Sequence, residues 1–287
     1  MRRCNGPFRV FAGVSFAVFA VVVGVLAAPR AASADAVAFA SHRAIYDLKL
    51  AASRGSKSIA GIRGRIVYDF SGNACEGYAL SFRQVTELDN GEGKVAVSDL
   101  RSATWEEGTA KNYRFNFQNF IGQELTGASD GRADRRADGV GVHLTKPEDK
   151  LFDLDAAVAF PTEHMRRIID AARAGKTVLE LQVYDGSENG EKLYNTLTVI
   201  GREIAPDEKK PADVAADQPA LKGLKRWPVT ISYFDKTGKG GEQTPIYAIT
   251  FELYENGVSR ALSLDYGDFT VSGEMTTLEI RDVKPCN

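Results

Sequence analysis

Histidine, cysteine and methionine are scarce in this chain, at three each in 287 residues. His42, His143 and His164 stand far apart, with no H-x-x-x-H and no cysteine cluster, so a zinc site lacks its ligand set. Each histidine reads as a surface or packing residue. A C-x-x-C is absent too, which removes the local dithiol redox motif. No basic run occurs, and the balance is 36 Lys and Arg against 38 Asp and Glu. A mildly acidic chain without such a run is a poor nucleic-acid binder.

Long apolar runs are lacking everywhere except the N-terminus. There Arg2, Arg3 and Arg9 precede an apolar stretch from Val10 to Ala28, and Ala32-Ser33-Ala34 follows. Basic residues, an apolar core and an A-x-A site form the pattern of a secretory signal, predicting cleavage before Asp35. The rival is a retained anchor, since the run is about as long as a short spanning helix. Cys4 lies ahead of the apolar run, which argues against a lipoprotein signal, and CNGP after Arg2-Arg3 does not suit a twin-arginine one. Removing residues 1–34 takes away four arginines, leaving 32 basic against 38 acidic residues and a charge of −6. It also removes Cys4. The remaining pair, Cys75 and Cys286, in an exported chain reads as one disulfide. Closing so long a loop stabilises by up to about 5 kcal/mol on the chain-entropy model. A reactive pair is the alternative. As a staple, Cys286 would pin the last strand back onto an early one.

The expected mature chain, 35–287, is dominated by period-two patterning. Tyr46, Leu48 and Leu50 alternate with polar residues, as do Ile62, Ile66, Tyr68 and Phe70, and then Tyr113, Phe115 and Phe117. KTVLELQVYD, KLYNTLTVIG, WPVTISYF, PIYAITFELY, GVSRALSLDY and DFTVSGEMTTLEI continue the habit. Half-buried antiparallel strands are the reading. One segment differs: PTEHMRRIIDAARAGK sets Met165, Ile168, Ile169 and Ala172 at helical spacing, with Pro161 at its start and Gly175 at its stop. Residues 205–220 are polar and aperiodic, a long surface loop or a linker. These elements predict an all-β fold, whether a closed barrel, a sandwich or a large curled, incompletely closed antiparallel sheet, with one main amphipathic helix covering the concave face of a curved sheet. An outer-membrane barrel fits poorly, because the second face is often charged, as at Arg63, Arg65 and Asp69.

Several stretches imitate catalytic motifs. Gly127-Ala128-Ser129-Asp130-Gly131 matches G-x-S-x-G, but charged, turn-like residues follow it, so a hairpin connection is expected and a hydrolase using Ser129 is the weakest reading. Gly175-Lys176-Thr177 is a helix stop rather than a phosphate loop. The Asp185-Gly186-Ser187 loop opens with calcium-loop spacing, yet Thr196 stands where a glutamate is needed, so a hairpin turn is expected. Asp153 and Asp155 read as a loop cap or helix lead-in. No cofactor is implied. The aromatic residues Tyr46, Tyr68, Phe70, Tyr113, Phe115 and Phe117 either pack a core or line a single apolar hollow for a lipid or a lipidated partner.

SHRAIYDLKL, GRIVYDF, CEGY, YDGS, VIGRE, RWPVTISYF, the run FELYENGVSRALSLDYGDFTVSGEMTTLEI and the terminal cysteine together resemble the cell-envelope integrity EipB family of periplasmic proteins in Gram-negative bacteria. The resemblance spans the mature chain. It implies a spiral-like open barrel, a bridge between the positions of Cys75 and Cys286, and a non-enzymatic role in the envelope, engaged under envelope stress. An open barrel of that kind is similar in shape to periplasmic lipoprotein carriers. The expected partner is an envelope lipid, a lipoprotein or another periplasmic protein. A scaffold for protein contacts, with no ligand cavity, is the second reading. No binding residues carry over from the family.

Overall fold

Alternation of apolar and polar side chains sets the architecture. In the first strand His42, Ala44, Tyr46 and Leu48 are buried, while Arg43, Ile45 and Asp47 between them are only half-buried and Lys49 is exposed. Side chains along a strand point to opposite faces, so such a segment can bury one face and leave the other wet. The computed structural model describes residues 37–54, 59–93, 95–206, 208–235, 244–283 and Cys286. The secretory leader expected at 1–34 lies outside them.

Eight strands precede the helix: β1 (His42–Ser53), β2 (Gly61–Asn73), β3 (Gly77–Asp89), β4 (Val95–Glu106), β5 (Asn112–Ile121), β6 (Glu124–Arg135), β7 (Val140–Lys146) and β8 (Lys150–Leu154). After α1 (Pro161–Arg173) come β9 (Val178–Val183), β10 (Tyr194–Ile200), β11 (Arg226–Asp235), β12 (Tyr247–Tyr254), β13 (Ser259–Asp265) and β14 (Phe269–Ile280). All fourteen belong to one antiparallel sheet, in the order β8 to β1 and then β14 down to β9. The first and last strands therefore pair at its middle, from His42 opposite Ile280 to Ser53 opposite Phe269. The two edges, β8 and β9, are consecutive in the chain and joined through α1. The sheet curls without closing: of the architectures the patterning leaves open, this is the all-β open barrel with one helix that the family resemblance implies.

The helix forms where the apolar spacing changes to three and four. Ile168, Ile169, Ala171 and Ala172 are buried in the main core, and Gly175 ends the run at φ +70°. Its N-terminus has no side-chain cap of its own. Instead the buried Glu106 at the end of β4 accepts the Thr162 and Glu163 amides at 2.7 and 2.8 Å. These are two of the donors a helix start leaves unsatisfied.

Three sequence readings are corrected or gain detail. Residues 127–131 are not a hairpin connection but the middle of β6, a strand of small residues paired to β5 and β7. Period-two patterning was hidden there because the inward positions are Ser129, Gly131 and Ala133. A Cβ at Gly131 would sit 2.6 Å from the His143 carbonyl oxygen and 2.8 Å from the Phe115 ring, so the site has no room for an apolar side chain. The polar stretch at 205–220 carries two short 3-10 turns, Val214–Ala216 and Pro219–Leu221, with Asp213, Ala216 and Leu221 buried. Arg260 donates to both Asp213 oxygens at 3.2 Å, Arg226 pairs with Glu252 at 2.8 Å, and Arg226 also donates to the Lys209 carbonyl. A buried ionic network thus ties the stretch to β11–β13. Third, Cys75 is bonded to Cys286, but neither lies in a strand. Cys75 occupies the β2–β3 turn, where Asn73 accepts the amides of Cys75 and Glu76, and Cys286 follows β14. The tail passes the start of β1, with the Arg281 amide on the Ser41 carbonyl and its guanidinium on Asp69.

Candidate functional site

The inward rows of the curled sheet are rich in aromatic and branched side chains, and one helix does not fill the space between them. Three adjoining chambers remain. The innermost, about 170 Å³, lies beside the start of α1. The middle one, about 190 Å³, is bounded by β1–β3 and β12–β13. The outer one, about 920 Å³, opens to solvent. His42, Tyr68 and Met165 line both inner chambers, and Phe82, Gln84 and Tyr247 line both the middle chamber and the mouth. The middle chamber has no lysine, arginine, aspartate or glutamate among its lining residues. A concave, mostly apolar void with a few polar groups is the usual form of a small-molecule site.

The six aromatic residues singled out in the sequence divide between two clusters. Tyr46, Tyr68 and Phe70 belong to the main core around the two inner chambers. Tyr113 and Phe115 are buried in a second cluster built on β5–β8, and Phe117 packs at its border and lines the mouth. Two of the tyrosines turn their hydroxyls to backbone: Tyr46 donates to the Ser259 carbonyl at 2.7 Å and Tyr113 to the Asp185 carbonyl at 2.8 Å. Tyr113 stacks on Phe160 at 5.1 Å, so that ring serves the packing of the helix lead-in. Tyr68 is different, because it is half-buried and faces two chambers. Burial pushes its phenol up to about 12, which keeps it neutral.

Residues that the sequence reading passed over complete the wall. Tyr233 on β11 and Tyr247 on β12 lie 5.7 Å apart, Tyr266 lies tilted against Tyr247 at 5.1 Å, and all three line the mouth. Their strands were legible as WPVTISYF and PIYAITFELY. Following the alternation in those segments would have put Tyr233 in phase with Ile231, and Tyr247 with Ile249 and Phe251. His42 and His164 both line the innermost chamber. His42 bonds the Ala40 carbonyl through Nδ1 at 2.7 Å and stacks on Tyr68. His164 is buried in α1, and its Nε2 has no partner among the described residues. Burial, with Arg167 adding to it, pushes His164 down to about 4, so it is neutral near pH 7. His143 sits apart at the surface, 3.3 Å from Asp149.

The motif look-alikes take structural places. Ser129 is fully buried on β6 and donates to the Gly186 carbonyl, and no strand-to-helix elbow surrounds it. Asp185 begins the β9–β10 connection, accepts the Ser187 amide at 2.9 Å and borders two chambers, with burial raising its carboxyl. Asp155 accepts the Ala157 amide as a turn cap, and Asp153 pairs with Arg136. Glu106, under the helix, is pushed up to about 7 by burial, against the opposing effect of the amide hydrogen bonds from Thr162 and Glu163.

Comparison with known proteins agrees with this geometry. Residues 33–282 match a family model described as EipB-like. The chain is 38% identical over 278 residues to the cell envelope integrity protein EipB of Brucella abortus (strain 2308), covering 96% of this chain and 95% of that one. It also resembles a crystal structure of a beta-barrel-like protein of a domain of unknown function from Brucella abortus. The TM-score is 0.78 at 37% identity, over 86% of this chain and all of the other.

Proposed function

The chain belongs to the EipB-like family, and on that footing we propose that it is an exported, non-catalytic protein that supports cell-envelope integrity by holding an apolar envelope molecule in its hollow. The envelope role follows from the relative's name. The binding role is supported by one observation above the others: the middle chamber is walled by Ile66, Phe82, Ile249, Phe251, Leu262 and Leu264, yet stays open to a mouth of about 920 Å³. A void of that lining would be filled by core side chains if packing were its only purpose. An acyl chain, alone or on a lipoprotein, matches an apolar passage that narrows inward.

Protein purified under native conditions and extracted with organic solvent should yield a lipid by mass spectrometry. The neutral fluorophore N-phenyl-1-naphthylamine should bind the extracted protein and be displaced by monooleoylglycerol. Gln84→Trp, placed between the middle chamber and the mouth, should weaken probe binding by about tenfold or more, with the melting temperature kept. Failure of the probe to bind, or equal binding by Gln84→Trp, would favour the scaffold reading, in which the interior serves packing alone.

A further inference from the structure

The same topology that makes the hollow also sorts its surface. In an antiparallel meander alternate turns share an end. The β3–β4, β5–β6, β7–β8, β9–β10 and β13–β14 turns therefore lie at the mouth, and the β2–β3 turn, the β4–β5 turn, α1 and the disulfide lie at the opposite end. Ten large apolar side chains are exposed among the described residues, and six of them are at the mouth end, five beside those turns and Ile246 just before β12. They are Val95, Ile121, Leu125, Leu151, Ile246 and Tyr266, between 38% and 75% exposed. Ile246 and Tyr266 also line the outer chamber.

We propose that this rim docks the open end of the barrel onto a lipid bilayer surface, so that an apolar ligand passes between membrane and hollow without crossing water. The inference rests on the reading of the hollow as a site for an apolar molecule and adds where that molecule enters. Two features favour a bilayer over a protein. The apolar groups come one or two at a time from five turns around an opening, with Ile121 and Leu125 sharing the β5–β6 turn, whereas a protein partner calls for one continuous, well-packed patch. Isolated apolar tips can instead enter the boundary between headgroups and acyl chains, a depth at which tyrosines such as Tyr266 are favoured. The hollow also requires an apolar neighbour at its mouth, since moving an acyl chain through water forfeits about 0.8 kcal/mol for each methylene.

The test uses the mature chain and large unilamellar vesicles of phosphatidylethanolamine and phosphatidylglycerol, read by flotation. Wild type should float with the vesicles. The rim variant Ile121→Ser/Leu125→Ser/Leu151→Ser, none of which lines a chamber, should bind them at least about tenfold more weakly and still bind N-phenyl-1-naphthylamine in solution. Val178→Ser/Val199→Ser, two exposed valines paired at the other end, should float as wild type does. Docking is overturned if wild type stays behind, if the rim variant floats as well as wild type, or if both variants lose binding equally. It is also overturned if wild type forms a dimer that the rim variant dissolves, which would make a second copy the occupant. Loss of probe binding with flotation intact would strike the ligand reading alone and leave the docking face in place.

Discussion

The two ends of the barrel are built by different means. At the closed end the chain is tied by one covalent bond, a helix capped from a neighbouring strand, the Arg281–Asp69 pair and the Arg226–Glu252–Arg260–Asp213 network. At the open end the same strands finish in short turns carrying exposed apolar tips, and the Arg54–Asp265 pair there is itself solvent-accessible. The buried ties are concentrated at the closed end, whereas the ion pairs at the mouth, among them Lys150–Glu191 and Lys192–Glu188, are partly open to solvent. On the proposed docking, one meander assigns anchoring to one set of turns and traffic to the other.

Mutations should grade along that contrast. Cys286→Ser removes a link spanning 211 residues and should lower stability by up to about 5 kcal/mol. Cys75→Ser should do the same, and the double variant should be no worse than either in chemical denaturation. A double variant that melts like wild type would remove the staple from the closed end. Asp213→Ala strips a carboxylate from the buried Arg260 and should cost about 3–5 kcal/mol. If it costs nothing, residues 205–220 are held by their apolar contacts alone.

Glu106 is predicted to act through pH. Its folded-state carboxyl is raised to about 7, so the fold favours its protonated form. Its contribution is fully present below the unfolded value near 4.5 and is lost as pH rises through 7. Between pH 5 and pH 8 wild type should therefore lose up to about 3 kcal/mol relative to Glu106→Gln, whose amide does not ionise. Parallel pH–stability curves for the two proteins would contradict this. At the mouth, Leu125→Ser should change stability by no more than about 0.5 kcal/mol, measured by thermal melting. A large loss there would mean that the rim is part of the core, and the difference between the ends would shrink.

How far the sequence foretold this structure depended on how each element signals itself. Strands such as β1, β2 and β11 carry a large side chain at every second position, and α1 changes that period visibly, so an all-β fold with one helix was legible, while the open form of the barrel came from the family resemblance. β6 was not, because its inward residues are small to admit the Phe115 ring and the β7 backbone. The ionic anchoring of 205–220 was hidden for another reason: Asp213 meets Arg260 only across 47 residues of chain. The aromatic set was found, but its split into two clusters depends on the curl of the sheet, which no local pattern encodes. Tyr113 and Phe115 go to one side of that curl and Tyr46, Tyr68 and Phe70 to the other.

The pairing of β1 with β14 has a consequence for how the protein is made. His42 meets Ile280 across nearly the whole length of the chain, so β1 keeps one hydrogen-bonding edge bare until the last strand emerges. Contacts between such distant residues are slow to form, and unpaired strand edges in partly folded chains invite aggregation. Every copy therefore passes through an interval in which thirteen strands are assembled or assembling on a sheet with an open seam at its centre. Biogenesis of this fold needs an escort for that seam, or a delivery rate fast enough to close it before another chain does.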